Sequence, residues 1–184
     1  QSIVGIMSAN KFSAGRWHTT TGVNGRYSIA DLFGSKNLNM GGAIIKSHNS
    51  EEGWQARSYA YRFFLQYPND RFNIFASTQR SPAPFDAEIG LMRRRNFREN
   101  FLLAGFNPRP NGKWQWIRQF DLRPIMLTYT QYDDTKDLQT FEYGIRLLGL
   151  DTRSGEQLNV DYQIRAEGLI EDFSLASEVV IPKG

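Results

Sequence analysis

Apolar and polar residues alternate along this chain with a period of two, over unusually long runs. From Gln157 onward, Leu158, Val160, Tyr162, Ile164 and Ala166 interleave with Asn159, Asp161, Gln163, Arg165 and Glu167. Successive side chains of a strand point to opposite faces, so such a run sorts itself into a dry face and a wet face. No helix buries that set. The preceding run repeats the rule, with Phe141, Tyr143, Ile145 and Leu147 against Glu142, Gly144 and Arg146. Tyr59, Tyr61, Phe63, Leu65 and Tyr67 oppose Ala60, Arg62 and Gln66. Phe72, Ile74 and Ala76 oppose Arg71, Asn73 and Ser77, and Phe75 breaks the pattern. Val23, Tyr27 and Ile29, then Leu38, Met40 and Ile44, carry it through the first quarter.

Turn formers fall between the runs, at Pro68-Asn69-Asp70, Pro108-Arg109-Pro110-Asn111-Gly112, Asp133-Asp134-Thr135-Lys136 and Asp151-Thr152-Arg153-Ser154-Gly155. The pattern predicts strands at roughly 2–9, 17–30, 36–48, 53–67, 71–80, 87–93, 98–107, 113–132, 137–150, 156–168 and 173–181. No helical period and no composition break appears, so residues 1–184 read as one all-β unit, an antiparallel up-and-down meander. Soluble strands are mostly about 5–6 residues long, whereas strands that cross a membrane at a tilt need about 9–11. The longer runs here reach the second figure. The fold class is therefore an outer-membrane β-barrel or part of one, with Tyr67, Trp54, Tyr132 and Trp114 as candidates for an interfacial girdle. A soluble antiparallel sandwich with one solvated face alternates in the same way and stays open as the alternative.

Composition removes other classes. The mean hydropathy is −0.50, and apolar runs such as Leu147-Leu148-Gly149-Leu150 fall far short of a spanning helix. A membrane barrel is not excluded, because only alternate residues face lipid. The chain has no cysteine, hence no disulfide frame and no thiolate site. Gln1-Ser2-Ile3-Val4-Gly5 has neither the basic segment nor the apolar stretch of a secretory leader, as expected of a mature chain or a piece of a larger one. The net charge is +3, and arginine outnumbers lysine 16 to 6. Most arginines stand singly between apolar residues, so a nucleic-acid surface is not expected.

Two stretches carry a family likeness. "FDAEIGLMRRRNFRENFLLAGFNPRP" (Phe85 to Pro110) turns through arginines toward Pro-Arg-Pro, and "FSLASEVVIPKG" (Phe173 to Gly184) ends in Val-Val-Ile-Pro-x-Gly. Both resemble the C-terminal barrel region of a family of bacterial envelope proteins. Its members typically join an N-terminal family-nine-like carbohydrate-binding module to a long outer-membrane β-barrel. The resemblance implies an internal portion of such a barrel in the bacterial outer membrane, with lipid, further strands or a partner protein, and a glycan as partners. The expected function is that of an envelope barrel of unassigned role, with uptake or surface handling of glycans as the candidate and a soluble all-β carbohydrate-binding or other binding domain as the alternative; nothing in the chain resembles the sugar-binding module itself.

Candidate chemistry is sparse. Ser8-Ala9-Asn10-Lys11 fits the Ser-x-x-Lys pattern of penicillin-recognising enzymes, but its context reads as strand and both companion motifs are missing. His18 and His48 lie on different predicted strands and read as lumen or surface residues rather than metal ligands. No acid, base and nucleophile converge, so the reading leans away from catalysis and expects no cofactor and no metal. Three sets remain. Arg93, Arg94, Arg95 and Arg98 surround a turn and suit lipid phosphate or an anionic solute, or else simply solvate it. Trp114 and Trp116 share one face of a predicted strand, spaced for stacking on a sugar ring or for interfacial anchoring. Glu142, Arg146, Asp161, Arg165 and Glu167 are expected to pair across adjacent strands as a lumen charge network. Ile3 and Ile181 both fall within strand-like segments. A self-contained barrel would pair those segments, and the expectation here is an open fragment instead.

Overall fold

The alternating runs fold as strands of one antiparallel meander in the computed structural model, which describes residues 1–50, 59–86, 94–169, 173–176 and 179–181. In chain order they are β1 (Ser2–Ser13), β2 (Arg16–Leu32), β3 (Lys36–Asn49), β4 (Tyr59–Pro68), β5 (Phe72–Ser81), β6 (Phe97–Phe106), β7 (Ile117–Phe120), β8 (Leu122–Tyr132), β9 (Leu138–Thr152) and β10 (Gln157–Glu167). Each pairs with its neighbour in sequence, except that β6 passes directly to β8 while the short β7 extends the ladder along β9. A separate hairpin joins β11 (Phe173–Ala176) to β12 (Val179–Ile181). Trp54 and the strand expected at 87–93 lie outside the described residues.

Register decides what shares a face. One row runs Tyr27, Met40, Leu65, Ala76, Leu102, Leu127, Tyr143 and Ile164 across eight successive strands, without a single charged residue. On the other face a second row runs Asn24, Ala43, Arg62, Gln79, Glu99, Thr130, Thr140 and Glu167. A slip of one residue in any strand would exchange its two sets of side chains, so the amphipathic pattern itself pins the pairing. On β10, Leu158, Val160, Tyr162 and Ile164 lie on the apolar face, and Asn159, Asp161, Gln163 and Arg165 on the polar one. The sequence pattern errs at Leu147, where a bulge in β9 interrupts the alternation between Arg146 and Leu148.

Tight turns set much of the register. β1 and β2 are joined by Ala14 and Gly15 alone, both at positive φ (49° and 78°), the geometry of a primed hairpin turn whose twist matches the strands. The expected single strand at 113–132 does not form. Residues Gly112–Trp114 make a 3-10 turn, and the chain breaks again at Asp121, whose N–H donates to the Gly149 carbonyl at 2.9 Å. Pro108 and Pro110 lie just upstream, and Gly112 adopts φ 75°, so extended pairing cannot be regular here. The expected 173–181 strand is likewise divided between the two arms of the β11–β12 hairpin.

The sheet is open among the described residues. β1 bonds only to β2, β10 only to β9, and the segment 173–181 does not pair with β1. A second layer is also missing there: Phe85 and Ile117 are the only buried hydrophobic residues.

Bare backbone lets aromatic rings lie on the sheet at β3–β4, where Gly41 and Gly42 pair with Phe64 and Phe63. A Cβ on Gly42 would meet the Phe63 ring and come within 2.7 Å of the Arg62 carbonyl oxygen. Gly42→Val is expected to destabilise the fold by about 1–3 kcal/mol, as overpacking does. Urea unfolding against the wild-type protein checks this, and an unchanged midpoint would contradict the close ring–backbone contact.

Candidate functional site

Two networks of ionisable groups form on the polar face among the described residues. The first centres on Arg146 of β9, whose guanidinium reaches Asp161 on β10 (Nε–Oδ1 2.7 Å, Nη2–Oδ2 3.1 Å) and Asp121 before β8 (2.6 Å). Arg123 adds a 3.1 Å contact to the same Asp121. Cross-strand pairing of Asp161 with Arg146 makes this possible, and the break at Asp121 turns that carboxylate toward the pair. The second network lies further along the strands. Arg165 pairs with Glu142 at 3.2 Å and with Glu167, while Glu99 accepts from Gln79 at 2.7 Å. Glu142, Arg146, Asp161, Arg165 and Glu167 are thus placed on one face, divided between two clusters rather than joined in one.

A groove of about 580 Å³ opens beside the second cluster, lined by Gln79, Arg94, Phe97, Glu99, Thr128, Thr130, Thr140, Glu142 and Arg165. Hydroxyl, amide, carboxylate and guanidinium groups all face it, so it can hydrogen-bond a polar solute as donor and as acceptor. A second groove of about 600 Å³ lies nearer β1, between Asn24, Arg26 and Arg62 on one side and Phe64 and Phe75 on the other. Phe75, the residue that broke the alternation, stacks here with Phe64 at 6.3 Å and tilts against Phe101 at 5.8 Å. This aromatic island on the wet face has a signal in the sequence, the misplaced Phe75. Its partners needed the register.

The arginine set does not converge. Arg93 lies outside the described residues. Arg94 donates to the Gln139 side chain at 3.3 Å, Arg95 pairs with Asp86 at 2.7 Å, and Arg98 reaches Asp133 at 3.5 Å. Each therefore serves a different connection. Trp114 and Trp116 do not share a strand face as the sequence suggested. Trp114 sits in the 3-10 turn and Trp116 in the turn after it, both exposed, because the segment breaks before β7. Of the girdle candidates, Tyr67 lies on the apolar face, while register turns Tyr132 to the polar one. The apolar face is instead edged by Phe12, Trp17 and Tyr59 at one end, and by Tyr67, Phe72 and Phe106 at the other. His18 and His48 are buried on neighbouring strands, yet the pairing of His48 with Thr19 puts them on opposite faces. Ser8 and Lys11 lie in β1, not on a helix.

Sequence reasoning treated Asp133 as a turn former and missed its role. Only 7% of its side chain is exposed, and it takes a two-pronged pair from Arg80, with both contacts at 2.7 Å. Arg98 and Lys136 each lie 3.5 Å from it, and Tyr59 offers its ring to Arg80 at 5.0 Å. Finding this cluster required knowing that β5, β6 and β8 are adjacent. In the 152–156 turn, the hydroxyls of Ser154 and Thr152 donate to the Glu156 carboxylate and hold its pKa at about 2.

No family model, curated protein or solved structure matches the chain.

Hydrogen bonds from Arg80 hold the Asp133 carboxyl below the usual carboxylate range, outweighing the opposing effect of burial. A depressed folded-state value means that the stabilisation is complete above the unfolded value of about 3.9 and is lost as pH falls through the folded one. Asp133→Asn is expected to cost about 3 kcal/mol at neutral pH by leaving Arg80 unpaired. The gap between variant and wild type should shrink on acidification below about pH 4. Unfolding midpoints of both proteins across that range measure it, and a gap independent of pH would rule out the ionised pair as its source.

Proposed function

We propose that this chain forms part of the wall of an outer-membrane β-barrel, with its apolar face toward lipid and its polar face toward an aqueous interior. The observation that carries the reading is the exposure of the apolar face. Ile164 is 46% exposed and Ile6 87%, and exposed apolar side chains recur on this face across β1 to β5, β8 and β10. Nine strands about 4.8 Å apart make this band roughly 40 Å wide. Soluble monomers rarely leave an apolar patch larger than a few hundred Å² uncovered. A soluble sandwich would bury Ile164 against a second sheet, and Ile164 has no such cover among the described residues. Strand lengths from 10 to 17 residues in β1 to β6 suit a tilted crossing.

An open edge in lipid leaves backbone groups unsatisfied at several kcal/mol each, so the outer edges of β1 and β10 are completed by further strands, from the same chain or a partner. The polar face then lines a passage or vestibule for a polar solute. Glycans are the class that the family resemblance implies, and Gln79, Thr128, Thr130 and Glu142 are groups that bond sugar hydroxyls. The chain's role is passage or recognition, without catalysis by these residues.

Arginine scanning of β10 tests the orientation. In lipid vesicles, Ile164→Arg is expected to cost about 2–4 kcal/mol near the bilayer midplane, whereas Gln163→Arg on the neighbouring wet position costs little. Equilibrium unfolding from the vesicles reads both. A protein that stays monodisperse without detergent, or equal costs at the two positions, overturns the proposal.

A further inference from the structure

We propose that the cluster around Asp133 holds the phosphate of an anionic membrane lipid at the rim of the apolar face, an inference that rests on that face meeting lipid. Register pairs Arg80 with Arg98 on that face, next to the Thr78–Asn100 pair that bounds the apolar band. Arginines on a lipid-facing surface belong at the headgroup level, where the charge stays hydrated and the stem covers apolar surface.

Among the described residues, the side chains there carry more positive charge than their neighbours neutralise. Arg80, Arg98 and Lys136 share the single Asp133 carboxylate, three cations against one anion. The nearby Asp134 accepts from the Asn96 amide at 2.9 Å. Arg80 is enclosed and committed, at 14% exposure, between Asp133 and the Tyr59 ring. Arg98 and Lys136 reach outward, at 36% and 52%. Arg98 Nε is shielded from solvent and has no hydrogen-bond acceptor among the described residues, although its neighbour Nη2 lies near Asp133. A shielded guanidinium N–H with no acceptor calls for an anionic oxygen. A phosphate supplies several, and it accepts from arginine and lysine together. Asp133 then acts as the spacer that holds the cations in one place, and Tyr59 supplies the amphipathic ring usual at the interface.

Rates of urea-induced unfolding, measured on the full chain in vesicles of phosphatidylcholine alone and of phosphatidylcholine with one-third phosphatidylglycerol, test this. The expected result is unfolding about tenfold slower with the anionic lipid, an advantage that fades at high salt. The double variant R98Q/K136Q should lose that advantage while unfolding in phosphatidylcholine much as the wild type does. Equal rates in the two vesicles, an advantage that survives in the variant, or the same slowing by inorganic phosphate in phosphatidylcholine would each overturn the lipid site. Those results leave the barrel reading standing. A chain that enters neither vesicle refutes the barrel reading, and the lipid site with it.

Discussion

The antiparallel backbone ladder is the constraint on which everything else here depends. Each strand from β2 to β6 is bonded on both sides, so its residues can point only up or down from the sheet. Once Tyr27 is paired with Met40 and Met40 with Leu65, the placement of every neighbouring side chain follows. The two rows of opposite character are a consequence of that single register. So are the Arg146–Asp161 and Arg165–Glu142 pairs, because the ladder sets those residues opposite one another. Departures are local and have visible causes: the bulge at Leu147, and the break at Asp121 after a stretch that holds two prolines and a glycine.

A single sheet of this kind has no interior of its own. Globular domains bury the apolar side of one layer against another. Here the aliphatic residues of the apolar face are left bare among the described residues, and the buried positions are mostly polar, such as Thr20, Ser47, Thr130 and Thr140. Most of the burial lies on the polar side instead. There the residues just after β5 lie against the sheet, with Phe85 buried and the Asp86 N–H donating to Ser47 Oγ at 3.3 Å. This inversion of the soluble arrangement is the physical reason for reading the apolar face as a surface that meets lipid.

The polar face combines rigidity with spare hydrogen-bonding capacity. Arg146 is held by two carboxylates from different elements, which fixes β8, β9 and β10 relative to one another at one end. Beside the Glu142–Arg165 pair the surface is rich in threonine and glutamine, side chains that donate and accept without a net charge. Charged pairs that satisfy one another contribute little net field, so such a surface suits a neutral, hydroxylated solute better than a strongly charged one. The aromatic island of Phe64, Phe75 and Phe101 interrupts this surface and gives it one apolar foothold.

The period-two pattern by itself determined the class of the fold and the facing of residues 141–146 and 157–167. These properties are local: a strand's alternation is written in consecutive residues and needs no knowledge of its neighbours. The charge pairs of the polar face were also within reach, because β9 and β10 are joined by a short turn that brings consecutive strands side by side. The tertiary structure decided what depends on strands distant in sequence or on backbone breaks. Asp133 gathers Arg80 and Arg98 from β5 and β6 across the sheet, and only the ladder reveals that adjacency. The Trp114 and Trp116 pairing failed for the converse reason. Alternation predicts a shared face only where a strand exists, and a positive φ at Gly112 with two prolines upstream removed the strand. Whether the sheet closes is likewise not a property of any run of residues, because closure depends on which edges find a partner.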